Sequence, residues 1–177
     1  MHGEKIFLRP ILKSDLCKLN QWKNNERIYQ FLGGGYRPVS IDQQEKWLDS
    51  LIDQTGNNRR FIISELDGNA VGMVGLYSID WVHRTCEVGI FLGDESCHGK
   101  GFAVEAYSLL EQYASEYLNL RKINLKVVSD NEPAISLWSK LGFEAVGVFH
   151  KERFIKGSYH DLILMEKFIE KSGGGVL

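Results

Sequence analysis

The chain has 177 residues, 44% of them hydrophobic, and a formal charge of −2 at neutral pH, the length of one domain able to bury roughly two-thirds of its unfolded surface. A near-neutral balance with no basic arm argues against nucleic acid as a partner, and no apolar run is long enough to span a bilayer or to serve as a signal-peptide core. Three cysteines, Cys17, Cys86 and Cys97, lack C-x-x-C or Cys/His spacing, so neither a disulfide framework nor a metal site is suggested and a reducing cytoplasm is the expected home.

Strands and helices alternate along the chain, which predicts an α/β or α+β layer. Ile6 to Arg9 is the first strand, and Ser14 is placed to cap a helix carrying Leu16, Leu19 and Trp22. The run Gly33-Gly34-Gly35-Tyr36-Arg37-Pro38 cannot continue a helix. Ser40 with Gln43 then makes a capping box for a second helix bearing Trp47, Leu48, Leu51 and Ile52. Arg60 to Glu65 and Ala70 to Ile79 flank Asp67-Gly68-Asn69 as a β-hairpin. Glu87 to Leu92 is a further strand, whose alternation puts Glu87, Gly89 and Phe91 on one face and Val88, Ile90 and Leu92 on the other. A helix follows from Ala103 to Tyr117, a strand from Lys122 to Val128, and a helix from Asn131 to Leu141, with Pro133 in its first turn and Gly142 as a left-handed stop. Glu144 to Ile155 and Tyr159 to Phe168 close the chain as a hairpin around Lys156-Gly157-Ser158. One domain is expected over residues 1–170, with 171–177 as a frayed tail.

The segment His98-Gly99-Lys100-Gly101-Phe102-Ala103 joins a strand to a helix. Glycines let the backbone turn tightly and approach a ligand, and the first N–H groups of the next helix lack partners and carry the positive end of the dipole. A phosphate is welcome there without a dedicated side chain. Glycines also close ordinary connections, so the loop alone is weak evidence.

This loop resembles the pyrophosphate-binding loop of the GNAT superfamily of N-acetyltransferases, with His98 where Gln or Arg is usual, Gly101 at the central Gly and Ala103 at the last position. Asn131-Glu132-Pro133-Ala134-Ile135 through Leu141-Gly142-Phe143 is similar to the family's N-x-x-A…LGF segment, in the right order downstream. The opening Leu8-Arg9-Pro10, Asn24-Asn25 and the closing Gly157-x-Tyr159-x-Asp161 resemble the branch of ribosomal-protein N-terminal acetyltransferases and spermidine N-acetyltransferases. The resemblance implies a GNAT fold: a mixed, mostly antiparallel seven-stranded sheet, splayed between strands 4 and 5 and flanked by about four helices. It implies acetyl-CoA as the acetyl donor, held by the backbone of Ile90, Phe91 and Leu92, by His98, Gly99, Lys100, Gly101, Phe102 and Ala103, and by Asn131. The acceptor is then a small-molecule amine, polyamine-like, an amino sugar or an antibiotic, or else a protein N-terminus. Tyr36 in the glycine-rich loop and Glu87 would face it, though that loop reads equally as a plain connector. Relatives also suggest a homodimer or larger homo-oligomer.

An alkyl ammonium has a pKa of about 10.4, so a base must take its proton before attack. Glu87 is the expected base, with Glu65, Asp80 and His83 as weaker substitutes. Many GNAT members protonate the leaving thiolate with a Tyr where this chain has Trp138. Indole cannot act as that acid, although its N–H can donate a hydrogen bond, and Trp138 reads equally well as packing with Ala134, Leu137 and Leu141. Ser136 and Tyr107 are the substitutes in view. A non-catalytic acyl-CoA-binding module is the rival reading.

Overall fold

The computed structural model describes residues 1–51 and 56–169; Ile52 of the second expected helix and the expected tail at 171–177 lie outside them. The strands are Ile6–Arg9 (β1), Arg59–Glu65 (β2), Ala70–Asp80 (β3), Thr85–Leu92 (β4), Lys122–Val128 (β5), Glu144–Ile155 (β6) and Ser158–Phe168 (β7). The helices are Leu16–Lys23 (α1), Glu26–Tyr29 (α2), Ile41–Asp49 (α3), Phe102–Glu116 (α4) and Glu132–Lys140 (α5). The sheet runs β1-β2-β3-β4-β5-β7-β6, and every neighbouring pair is antiparallel except β4 and β5.

That parallel pair positions the site. It holds only three register pairs, Thr85↔Lys122, Cys86↔Ile123 and Glu87↔Asn124. β4 stays paired with β3 as far as Leu92, and β5 with β7 as far as Val128. Beyond Glu87 the sheet therefore opens into a wedge, as the fold expectation requires.

Two cores flank the sheet, and strand alternation decides which side chain joins which. Val88, Ile90 and Leu92 pack with Phe102, Ala106, Leu110 and Ala114 of α4 and with Trp138 of α5. Phe91 turns to the opposite side, where Leu19 and Trp22 of α1, Leu48 of α3 and Met73 of β3 form a smaller cluster.

The helix ends follow the expected chemistry in part. Ser40 Oγ accepts from the Gln43 N–H while Gln43 Oε1 accepts from the Ser40 N–H, completing the capping box of α3. Gly142 takes φ 87° after α5. Ser14, however, does not cap α1: it lies inside a 3-10 turn, and Asp15 accepts from the Leu12 N–H instead. Asp15 is committed there by Arg9, which grips its carboxylate with two hydrogen bonds of 2.8 and 2.7 Å. The described residues form five α-helices, in keeping with the expectation of about four; the additional one, α2, has four residues, too few to leave a periodic signal.

Candidate active site

A cavity of about 500 Å³ fills the wedge. It is lined by Glu87 to Phe91 of β4, by Leu125, Lys126 and Val127 of β5, by Asn131 and Trp138, and by Phe31 to Gly34 of the loop after α2. A groove of about 770 Å³ shares Phe31, Ile90, Phe91 and Asn131 with it and runs along Leu92 and Asp94 to His98. The sequence-predicted residues Glu87, Ile90, Phe91, Leu92, His98, Asn131 and Trp138 are thus strung along one continuous path. Tyr36 is not on it: the residue is exposed and lines neither space. Gly35 at φ 68° turns the chain just before it, so the neighbouring Phe31, Leu32, Gly33 and Gly34 face the cavity instead.

At one end of this path lies the glycine loop. Gly99 at φ 74° and Gly101 at φ 86° are both left-handed, conformations that side chains resist. Gly101 is the N-cap residue of α4 and offers no side chain, so the free N–H groups of the first turn stay open to a ligand. Phe102 itself is buried in the core, which leaves only its backbone for such a role. The Lys100 ammonium stands over the Phe102 ring at 5.5 Å, while the Lys100 carbonyl accepts from Lys5 Nζ at 3.2 Å. Lys5 thereby brings a second cation to the loop from the far N-terminus, held because Glu105 Oε1 accepts from the Glu4 and Lys5 N–H groups. No local motif announces that contact. At the other side Asn131 caps α5 through Oδ1, which accepts from the Ala134 N–H at 3.4 Å. These features fit a pyrophosphate with a pantetheine arm: main-chain donors at the helix start, then two strand edges with unladdered backbone.

Glu87 occupies the last rung before the strands part, half-exposed in the cavity, with Lys126 Nζ 3.7 Å from its Oε1. Across the β3–β4 ladder it faces Tyr77. The Tyr77 ring lies over Gly75 and Gly89, where an added Cβ would come within 3.0 and 3.2 Å of it. Burial pushes the Tyr77 phenol up against the opposing pull of Arg60, and burial followed by Tyr77 pushes Tyr29 up to about 12. Both cavity-lining phenols are therefore neutral donors at working pH. None of the substitute bases lines the cavity. Glu65 accepts from Asn69 Nδ2 at the β2–β3 turn, Asp80 accepts from the Val82 and His83 N–H groups, and His83 lies exposed on that second turn.

Trp138 combines its two readings: it lines the cavity, and it packs edge-on against Tyr107 at 5.7 Å and Phe143 at 5.2 Å. Neither substitute acid reaches the cavity. Ser136 is exposed on the outer side of α5, and Tyr107 is fully buried in the α4 core. Cys86 is also buried, with its thiol pushed up to about 12 by burial and then by Glu87, unfit to be an acyl carrier.

Sequence reasoning missed the residues that hold the loop over the cavity. Arg153 of β6 lines the cavity and donates to the Leu32 carbonyl. Asn24 pairs with the backbone of Val39 through two hydrogen bonds, 2.9 Å from its Nδ2 and 2.8 Å to its Oδ1. Both lie far in sequence from what they fix, and only Asn24, as part of an Asn-Asn pair, left any trace.

Comparison with known proteins agrees with this geometry. Residues 5–144 match the acetyltransferase (GNAT) domain family. The chain is 35% identical over 163 residues to spermidine N(1)-acetyltransferase of Escherichia coli, covering 92% of this chain and 86% of that one. It is 27% identical to a ribosomal N-acetyltransferase-like protein of Bacillus subtilis over 91% of its own length and 90% of the relative's. A crystal structure of spermidine N-acetyltransferase from Vibrio cholerae with CoA and spermine superimposes with a TM-score of 0.86 at 30% identity, covering 96% and 98% of the two chains. Nothing in these comparisons supports a non-catalytic module. By its domain match, its relatives and its splayed sheet, the chain belongs to the GNAT superfamily of acetyl-CoA-dependent N-acetyltransferases.

Proposed function

We propose that this protein transfers acetyl directly from acetyl-CoA to a primary amine, with Glu87 as the base. The observation that carries this reading is the position of Glu87 on the final rung of the β4–β5 ladder, its carboxylate in the cavity that the open strands create. Acetyl-CoA supplies an activated thioester; the protein's part is to bind, orient and move a proton. The α4 N-terminus, Lys5 and Lys100 hold the phosphates, and the unladdered backbone of Ile90 and Phe91 pairs with the amides of the pantetheine arm. A backbone N–H of that stretch stabilises negative charge as it develops on the thioester oxygen. Glu87 accepts the proton of the incoming ammonium, directly or through one water. Trp138 walls the reacting end and excludes water, and the thiolate, of pKa about 8.5, leaves without a dedicated acid. The buried thiol of Cys86 favours this direct route over an acyl-enzyme.

The test is thiol release from acetyl-CoA by purified protein across simple amines, amino sugars, aminoglycosides, polyamines and Ala- or Ser-starting peptides. Amine-dependent release supports the reading; acetyl-CoA binding with silence throughout the panel would count against it. A homo-oligomer is part of the same proposal, because the edge strand β6 leaves Val146, Val148 and Phe149 exposed. Sedimentation of a monomer at micromolar concentration would exclude it.

A further inference from the structure

Resting on the acetyltransferase reading, we propose that the acceptor is a monoamine carrying an anionic group beyond a short apolar segment, and not a polyamine. The cavity carries the argument through its charges. Its lining holds one carboxylate, Glu87, against two cations, Lys126 and Arg153. Glu87 is already shared with Lys126 at 3.7 Å. Two more cations stand behind the aromatic walls: Lys23 Nζ lies 4.2 Å from the Tyr29 ring centre and Arg60 lies 5.0 Å from that of Tyr77. Burial, and after it the neighbouring Arg37, push the Lys23 ammonium down.

A polycation exchanges its water for fixed negative charges, and the cavity lining offers one. On the rim of the adjoining groove Glu26 is bonded to Lys156 at 3.2 Å and Glu95 to Arg27 at 2.7 Å, and Asp94 accepts from the Ser96 N–H at 2.7 Å. A diamine that gave one nitrogen to Glu87 would therefore bring its second ammonium toward Lys126 or Arg153. An anionic tail meets the opposite situation. Arg153 spends a donor on the Leu32 carbonyl, and a guanidinium has five, so its fork can also receive a carboxylate. Phe31, Tyr29 and Trp138 line the same cavity and supply apolar wall for a short alkyl segment. A cavity of about 500 Å³ suits such a small amphiphilic acid.

Matched series decide the matter: butylamine, 4-aminobutanoate and 1,4-diaminobutane, and hexylamine, 6-aminohexanoate and 1,6-diaminohexane, each measured for kcat/KM by thiol release. One aminoalkanoate should exceed its matched diamine by about tenfold or more. Arg153→Gln should collapse that ratio, and Arg153→Lys, which keeps the charge, should restore part of it. Should Arg153→Gln not fold, Lys126→Gln reads the same ratio. Diamines equal to or better than both aminoalkanoates in the wild-type protein overturn the proposal. Silence with all six compounds and with the wider amine panel, acetyl-CoA still binding, breaks the acetyltransferase reading instead. The same compounds titrated calorimetrically into the protein–CoA complex then decide the tail preference: tighter binding of an aminoalkanoate than its diamine supports it, and any other ranking, or no binding, overturns it.

Discussion

The donor side and the acceptor side of the wedge are built from different materials. On the proposed donor side, recognition rests chiefly on main-chain atoms, two left-handed glycines, the start of α4 and the open edges of β4 and β5, with Lys5 and Lys100 beside the loop. On the proposed acceptor side the wall is made by side chains from distant segments, with Arg153 of β6 and Asn24 at the end of α1 pinning a glycine-rich loop. The difference teaches that a shared coenzyme and a private substrate are compatible in one fold. Main-chain recognition survives sequence change, whereas a cavity wall of Lys126, Arg153 and Tyr77 changes one residue at a time.

The largest effect should fall where the two sides meet. Glu87→Gln keeps size and polarity but cannot take a proton, so kcat should drop about 10²- to 10⁴-fold while coenzyme affinity, measured by calorimetry, stays within about twofold. An unaltered kcat would move the base elsewhere and erase the boundary drawn at the last rung. Next, Gly101→Val forces a branched side chain to φ 86° and should weaken coenzyme binding about tenfold or more. Equal affinity would mean that the loop does not hold the donor.

A smaller effect tests the base of the acceptor side. Asp15 and Arg9 form a largely buried, two-pronged ion pair under the start of α1, and Asp15→Asn should cost about 2 to 3 kcal/mol in chemical denaturation. Burial alone would push the Asp15 carboxyl up, but the hydrogen bonds from Arg9 and the Leu12 N–H prevail and hold it below its ordinary 3.8. Its folded value being depressed, its contribution is complete above that ordinary value and fades as pH falls through the lower folded one. The variant should therefore show a flatter acid limb in Tm against pH; an unchanged limb would remove Asp15 from acid stability. The smallest effect is expected at Trp138→Tyr, which sets a phenol at the reacting end. Turnover should rise by a few-fold if thiolate departure is partly limiting, and a fall would mean that the indole's packing on Tyr107 and Phe143 positions the donor.

The same division explains what was legible in the sequence. Strand alternation around Glu87, the hairpin at Asp67-Gly68-Asn69, the Ser40–Gln43 box and the Gly142 stop are local, and each is present in the structure. The glycine loop and the Asn131 cap are likewise written in consecutive residues. Arg153 over Leu32, Lys5 against Lys100 and Asn24 on Val39 are not: each joins segments whose approach depends on the finished sheet. Tyr36 illustrates the converse, an aromatic in the right loop that one left-handed glycine turns away from the cavity. Ser14 shows a local rule overridden when Asp15 answered a tertiary demand from Arg9.

The shortness of the β4–β5 ladder has a thermodynamic side. With three rungs between them, the half-sheets on either side of the wedge are joined by less backbone bonding than any other strand pair spanning the middle of the sheet. A coenzyme arm laid along both free edges, as proposed above, would supply the missing rungs and couple donor binding to folding. At a hundredfold excess over Kd such a ligand adds about 2.7 kcal/mol to global stability. The protection should be uneven: amides of β4 beyond Glu87 and of β5 beyond Asn124 should slow most in hydrogen exchange, while β1 and β2 follow only the global rise.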